Sequence, residues 1–521
     1  MVNYLTRHNI ITNSQSGFTQ GDSTTYQLLG IYDDFCSALD RNVTTQAIFF
    51  DISKAFDKVW HRGLLHKLFN LGIRGSLFAW FTSYLTNRKQ AVVIKGSTSN
   101  FGSIKAGVPQ GSVLGPILFL IYINDIATEI TSETKLFADD TSVYLSIDNN
   151  DRRGQILNAD LQKISHWAKN WKVTFNQTKT DLLDITRRTT ALTNQLYFEN
   201  SLLIPCESHK HLGITLQPDC KWEGHINDIL SRCLNLTSCL RSFKYRLNRK
   251  TLDIMYRSFI LPVLDYGDVI YNNCTDLLSI KLEEIQLDAL RTISGSVRGT
   301  SHVKLYQETG FVALKERRKR HKMLLFFKFV NNMLPEHINR KFPNLISETN
   351  PYHRRRPNDR NIPFSRTELY KNSFFPSTTS DWNKLPEYVQ NYTSIGLFKK
   401  FLTRSDSKVP PYFFVGNRNE QILHCRLRLE MSNLNGDLVK RHLSEFPACR
   451  CSAPFENAKH YLLHCPLYSR IRNITVNLLP PCAIDENILL RGEENFSLAF
   501  NTYIFLTVHE FIFLSKRFDD S

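Results

Sequence analysis

Phe137-Ala138-Asp139-Asp140 sets two carboxylates side by side. Leu136 precedes the stretch and Thr141-Ser142-Val143-Tyr144-Leu145 follows as a strand-like run, so the pair is predicted at a hairpin tip. Adjacent like charges in an apolar setting repel unless a cation neutralises them. A hard divalent cation such as Mg²⁺ suits oxygen ligands and often brings substrate phosphates with it. An Asp-Asp pair alone is also what a solvated turn looks like, so the upstream sequence has to decide.

Upstream lies Ile48-Phe49-Phe50-Asp51-Ile52-Ser53-Lys54-Ala55-Phe56-Asp57. Apolar residues run straight into Asp51, which reads as a buried strand ending at a carboxylate. Between the acidic sites is Gly107-Val108-Pro109-Gln110-Gly111-Ser112-Val113-Leu114-Gly115-Pro116, a Gly/Pro loop opening an apolar helix. Gly107 and Gly111 give the loop conformational freedom and close approach. A strand-end Asp, a glycine loop and an Asp-Asp hairpin, in that order, are the parts of a two-metal phosphoryl-transfer site.

On these residues, the stretch from about Gln15 to Leu216 resembles the reverse transcriptase domain of non-LTR (LINE-type, jockey-like) retrotransposons. Phe50 to Asp57 resembles the family's first catalytic motif, Ala106 to Ser112 its glycine-loop motif, and Phe137 to Asp140 its F/Y-A-D-D box. The resemblance implies RNA-directed DNA synthesis by two-metal deoxynucleotidyl transfer. Asp51, Asp139 and Asp140 would be catalytic and hold two Mg²⁺ ions, with Mn²⁺ as a substitute. Phe56 would lie beneath the incoming sugar, excluding a 2′-hydroxyl; outside this motif it would read as an ordinary core aromatic. Gly107, Gln110 and Gly111 would contact template and nascent base pair. Asp57 is read as ordering its turn.

Asn176 and Lys179 resemble the family's Asn-x-x-Lys element. Lys179 would protonate the pyrophosphate leaving group, or be a surface lysine. Lys210-His211-Leu212-Gly213-Ile214 resembles the primer-grip hairpin, in which Gly213 allows close approach to the primer. Gln15-Ser16-Gly17-Phe18 and Ser23-Thr24 resemble a fingers motif that holds template and triphosphate, but Thr19 and Asp22 stand where basic residues are usual. Asp22 would then repel phosphate. The family's preceding fingers segment and upstream endonuclease have no counterpart, so the resemblance implies an N-terminally truncated chain. A catalytically inactive nucleic-acid-binding remnant is the alternative.

The chain has 521 residues, 42% of them hydrophobic and 22% charged, which suits several globular domains. Lys and Arg number 65 against 49 Asp and Glu, a net +16 that suits a polyanion. RNA template, DNA primer or target and dNTPs are the implied partners, with no membrane. Phe496 to Ser515 contains Asn501, His509 and Glu510 and reads as a buried amphipathic helix. Eleven cysteines without a framework and a start lacking an apolar core suggest a reducing intracellular setting. The resemblance extends that to cytoplasmic ribonucleoprotein and nucleus.

Cys449-Arg450-Cys451, His460 and Cys465 form C-x-C-x8-H-x4-C. Three thiolates and an imidazole make a closed tetrahedral Zn²⁺ site of the structural kind; His464 could replace His460, but spacing favours His460. The family resemblance adds a C-terminal CCHC knuckle in this context. Two basic runs, Lys315–Lys322 and His353–Arg356, would bind phosphates or act as localisation signals. Lys244, Arg246, Arg249, Lys250 and Arg257 would face a duplex, or line a solvated helix face.

The expected fold class is α/β (α+β), a right-hand polymerase. Fingers remnant and ferredoxin-like palm would occupy 1–216, a helical thumb 217–300, and a mainly helical region 301–440. The zinc knuckle would occupy 441–475 and a helical tail 476–521.

Overall fold

The computed structural model describes residues 2–188, 194–349, 358–404 and 406–519. The chain folds into two compact units, each assembled from separate stretches of sequence. The first comprises Met1–His225, Val269–Cys274 and His321–Ile395; the second comprises Ile226–Asp268, Thr275–Arg320 and Gly396–Ser521.

The first unit is built on a four-stranded antiparallel sheet ordered Glu133–Phe137, Asp140–Ser146, Thr45–Phe50, Asp181–Ile185. Helices lie between the first and second strands in sequence and between the third and fourth, giving the ferredoxin-like split βαβ topology. Thr45–Phe50 is central and buried at every residue, with the apolar run Ala47–Phe50 leading into Asp51. Alternate side chains leave opposite faces. Ile48 and Phe50 enter a core with Leu118, Leu157, Leu161 and Ile164 from Leu114–Ile123 and Asn150–Trp171. Phe49 stacks on His209 at 4.0 Å.

The helix Thr24–Asp40 starts at Ser23, whose side chain accepts the Tyr26 N–H. Its Phe35 meets Tyr144 edge-on at 5.4 Å. Its C-terminal Asp40 accepts the N–H groups of Arg366 and Thr367, so residues 321–395 complete the first unit rather than trailing from it. Two helices follow the central strand, His61–Asn70 and Gly75–Leu85. Gly72 and Gly75, at φ +88° and +59°, take the left-handed conformations that separate them.

The second unit is mainly helical. Pro262 sits within a continuous helical run. Arg249–Met255, a π turn at Tyr256–Ile260 and Leu261–Asp265 run on from one another, with Pro262 in the opening turn of the last segment. Proline lacks an N–H, and an opening turn does not need it. Arg249, expected on a duplex-facing surface, is buried: it donates to Glu308 Oε1 at 2.6 Å, and Arg428 donates to the same oxygen at 2.8 Å. Leu498–Ser515 is apolar and long enough to cross a membrane by length and composition. In the fold it buries Ile504, Phe505, Val508, Phe511 and Ile512 in the core of the second unit.

Candidate active site

Asp51 directly follows the central strand. The register pairs Phe50 with Thr141, so one further step sets Asp51 opposite Asp140. Asp139 lies in the two-residue loop closing the hairpin, since Phe137 pairs with Asp140. The three predicted carboxylates therefore meet at one end of the sheet. Burial, then Asp139 and Asp51, push Asp140 up to about 6. Burial also raises Asp139, with Asp51 adding to the shift. A bound cation would relieve this repulsion. Lys179 Nζ stands 3.7 Å from Asp51 Oδ2, exposed.

The Asp51 loop is fastened to the chain before Lys179. The Asn176 N–H donates to the Asp51 carbonyl at 2.8 Å and the Ser53 N–H to the Thr174 carbonyl at 2.9 Å. The Asn176 side chain accepts from Thr178 N–H and Oγ1. Asn176 thus shapes the turn that presents Lys179.

The glycine loop is tied to the same motif. The Val108 N–H donates to the Phe56 carbonyl and the Gly107 N–H to the Val59 carbonyl, each at 2.8 Å. Gly107 has φ +93°, and a Cβ there would lie 2.7 Å from the Asp57 carbonyl oxygen. Gln110 Nε2 donates to Asp57 Oδ1 at 2.9 Å, which gives Asp57 its turn-ordering part. Gly111, at φ +79°, faces open space. Phe56 stacks on Phe119 at 4.6 Å and approaches Phe18 edge-on at 6.3 Å.

Residues 1–216 match the family described as Reverse transcriptase (RNA-dependent DNA polymerase). The three acids and the glycine loop all lie within this matched stretch. The "Probable RNA-directed DNA polymerase from transposon BS" of Drosophila melanogaster is 29% identical over 61% of this chain and 36% of its own length. The RNA-directed DNA polymerase from mobile element jockey, also of Drosophila melanogaster, is 30% identical over 55% of this chain and 32% of its own length. The chain therefore spans about a third of the length of these curated relatives. An apo telomerase structure from Candida tropicalis is 12% identical with a TM-score of 0.35, covering 65% of this chain and 54% of that one.

Two supports of the candidate site are hidden at the level of sequence. His61 is buried, and its Nε2 lies 2.8 Å from the Gly107 carbonyl, to which it donates; no spacing flags it. Gln15, grouped by sequence with the template-holding residues, lies under the Asp139 turn. Asp22, expected to repel phosphate, does not expose its carboxylate. Its side chain is buried, accepts the Ser23 N–H at 2.7 Å and lies 3.5 Å from His337. Burial raises it to about 6, against hydrogen bonds from Ser23 and Ser16.

The hairpin His209–His211/Ile214–Leu216 closes through Leu212 and Gly213, both at positive φ, as a two-residue loop. Gly213 thus serves the turn directly. The basic run at 315–322 is largely occupied. Arg317 grips Asp265 with two bonds of 2.7 Å, Arg320 grips Asp406 likewise, and Lys322 donates to Ser377. These partners replace the phosphates expected there. The run His353–Arg356 lies outside the described residues.

In the second unit, Cys449, Cys451, His460 and Cys465 bring one ligand atom each within 4.8 Å of one another. Cys449 and Cys465 Sγ are 3.7 Å apart, and Cys451 Sγ is 3.2 Å from His460 Nε2. His464 is exposed and outside the group. The Ser452 N–H closes a turn on the Cys449 carbonyl at 2.9 Å, which folds the tight Cys-x-Cys spacing so that both thiols converge.

Proposed function

We propose that the chain is an RNA-directed DNA polymerase of a non-LTR retrotransposon, with right-hand architecture. The observation that carries this is the register setting Asp51 opposite Asp140 beside Asp139. Three converging carboxylates, two of them with raised proton affinity, are the donor set a pair of Mg²⁺ ions takes, with Mn²⁺ as substitute. When bound, the ions supply activation of the primer 3′-hydroxyl and charge stabilisation at the transferred phosphate.

The protein's own part is positioning. Asp51, Asp139 and Asp140 hold the ions. Phe56, braced on Phe119, walls the sugar position against a 2′-hydroxyl. Gly107, Gln110 and Gly111 form a floor tied to Asp57 for template and nascent pair. Lys179 carries a proton at Nζ within reach of the site for the leaving group. The Gly213 hairpin offers backbone to the primer. RNA template, DNA primer and dNTPs are the partners of this site.

The Cys449, Cys451, His460, Cys465 set fits Zn²⁺. Thiolates held at about 2.3 Å by a tetrahedral ion stand about 3.8 Å apart, close to the observed 3.7 Å.

Primer extension on an RNA template with Mg²⁺ and dNTPs, beside Asp139→Ala, tests the proposal. Extension by wild type alone supports it. Retained extension by Asp139→Ala overturns the site, and a folded wild type that binds RNA without extending it makes the chain a nucleic-acid-binding remnant. Burial of Asp22 removes one ground for that second reading.

A further inference from the structure

The turn carrying Asp139 is held from outside the hairpin. Ala138, immediately before Asp139, has φ +56°, a region costly for a residue with a Cβ. Two-residue hairpin loops favour glycine or asparagine at such positions. A strained backbone persists when its surroundings over-determine it, and the surroundings are explicit. Gln15 is 4% exposed. Its Oε1 accepts the N–H of Ala138 at 2.9 Å and the N–H of Gly17 at 2.8 Å. Both neighbours are donors, so only the amide oxygen can stand there. The chain around Gln15 is also zipped to the strand entering the turn: Ser16 N–H donates to the Leu136 carbonyl at 2.9 Å, and Leu136 N–H to the Ser14 carbonyl at 2.8 Å. The approach is close enough that a Cβ at Gly17 would land on the Ala138 amide nitrogen.

We propose that Gln15 is a positioning residue for the carboxylate pair: its side-chain oxygen holds the Ala138–Asp139 turn in its strained form and so fixes how Asp139 and Asp140 are presented. The function of the pair rests on the polymerase reading; the clasp itself does not. Without Gln15 Oε1, two buried N–H groups lose their acceptor, and the turn relaxes toward negative φ at Ala138. Asp139 then swings, while the Phe56 wall and glycine floor stay in place. Loss of Gln15 should therefore damage turnover more than nucleotide binding.

The test uses Gln15→Met, similar in length but without an acceptor, and Gln15→Glu, which keeps one. Two readouts are taken on the full chain: amide hydrogen exchange across residues 136–140, and extension kinetics on an RNA template. Gln15→Met is expected to speed exchange at the Ala138 amide by about tenfold or more while exchange in Thr45–Phe50 stays unchanged. It should lower kcat by about tenfold or more with KM for dNTP within about twofold. Gln15→Glu should restore exchange protection. Should Gln15→Met fail to fold, Gln15→Asn, which draws the amide back by one methylene, is read the same way. Unchanged exchange at Ala138 overturns the proposal. So does a raised KM with unchanged kcat, which would place Gln15 on the nucleotide or template. If wild type does not extend primers, the polymerase reading fails, and the exchange result still decides the clasp.

Discussion

Arg517 grips both oxygens of Glu456, at 2.9 and 2.7 Å, and Cys449 Sγ lies 3.8 Å from the same carboxylate. Glu456 also accepts the Asn435 N–H at 2.8 Å. The four-ligand cluster is thereby fastened to the end of the last helix, where Tyr461 OH meets Ser515 Oγ at 2.6 Å and Phe518 packs on Tyr461. A metal held there would be tied into the core of the second unit.

Chelation should therefore loosen Leu498–Ser515 as well as residues 449–465. Hydrogen exchange with and without a chelator checks this; protection of Leu498–Ser515 unchanged on metal removal would refute it. Arg517→Ala should weaken Zn²⁺ binding by about 10–100-fold, the usual cost of losing an outer-shell partner, read by competition with a chromophoric chelator.

Glu308 lies buried between Arg249 and Arg428. Burial alone would raise its carboxyl, but Arg428 and then Arg249 overcome that and hold it down to about 2, below the ordinary 4.5. A depressed carboxyl contributes stability above its unfolded value and loses it as pH falls toward the folded one. Glu308→Gln should cost about 3–5 kcal/mol, because two buried guanidinium groups lose their counter-charge. Denaturant melts at pH 7 measure this, and the gap between wild type and variant should close from about pH 4.5 downward. A gap that does not depend on pH would refute the ion-pair account.

Gly107 and Gly111 separate two meanings of a glycine. Gly107→Ala would press a Cβ against the Asp57 backbone and shift the loop proposed to lie under the nascent pair. A displacement near 1 Å costs about 10²-fold in rate. Gly111→Ala meets nothing within 4 Å and bears only the penalty of its φ. Extension by the two variants should therefore differ by about tenfold or more, with similar melting temperatures. Equal activities would remove the close approach as the reason for glycine at 107.

The sheet and its three acids were legible because each rests on local sequence. An apolar run ending in Asp51 makes a buried strand, and Asp139-Asp140 after Phe137 makes a turn. The Cys449, Cys451, His460, Cys465 cluster was legible from its spacing together with the family resemblance. Arg249 was not, because its burial depends on Glu308 and Arg428, distant in sequence and paired only by the fold. The same holds for Arg317 and Arg320, whose partners Asp265 and Asp406 no periodicity reveals. Asp22 misled because its side chain was read by charge, whereas the turn before Ser23 folds it inward. Gln15 was grouped with the fingers motif, and its part as side-chain acceptor for Ala138 cannot be seen without the hairpin.

His211 offers an acid-sensitive element close to the site. It is buried against Phe49 at 5.0 Å, two residues from Asp51. Burial, and then His209, lower it from 6.5 to about 3. His209 is itself paired with Asp181 at 2.7 Å. A histidine held neutral in the fold takes up its proton only on unfolding. Its stabilising share is complete above pH 6.5 and is lost as pH falls toward 3, by about 1.4 kcal/mol for each pH unit. His211→Leu keeps an apolar contact with Phe49 and has nothing to titrate. Between pH 6.5 and 4.5 wild type should therefore lose about 2 kcal/mol or more relative to His211→Leu, followed by urea melts at each pH. Parallel losses in the two proteins would show that the hairpin of Gly213 does not depend on the charge of His211.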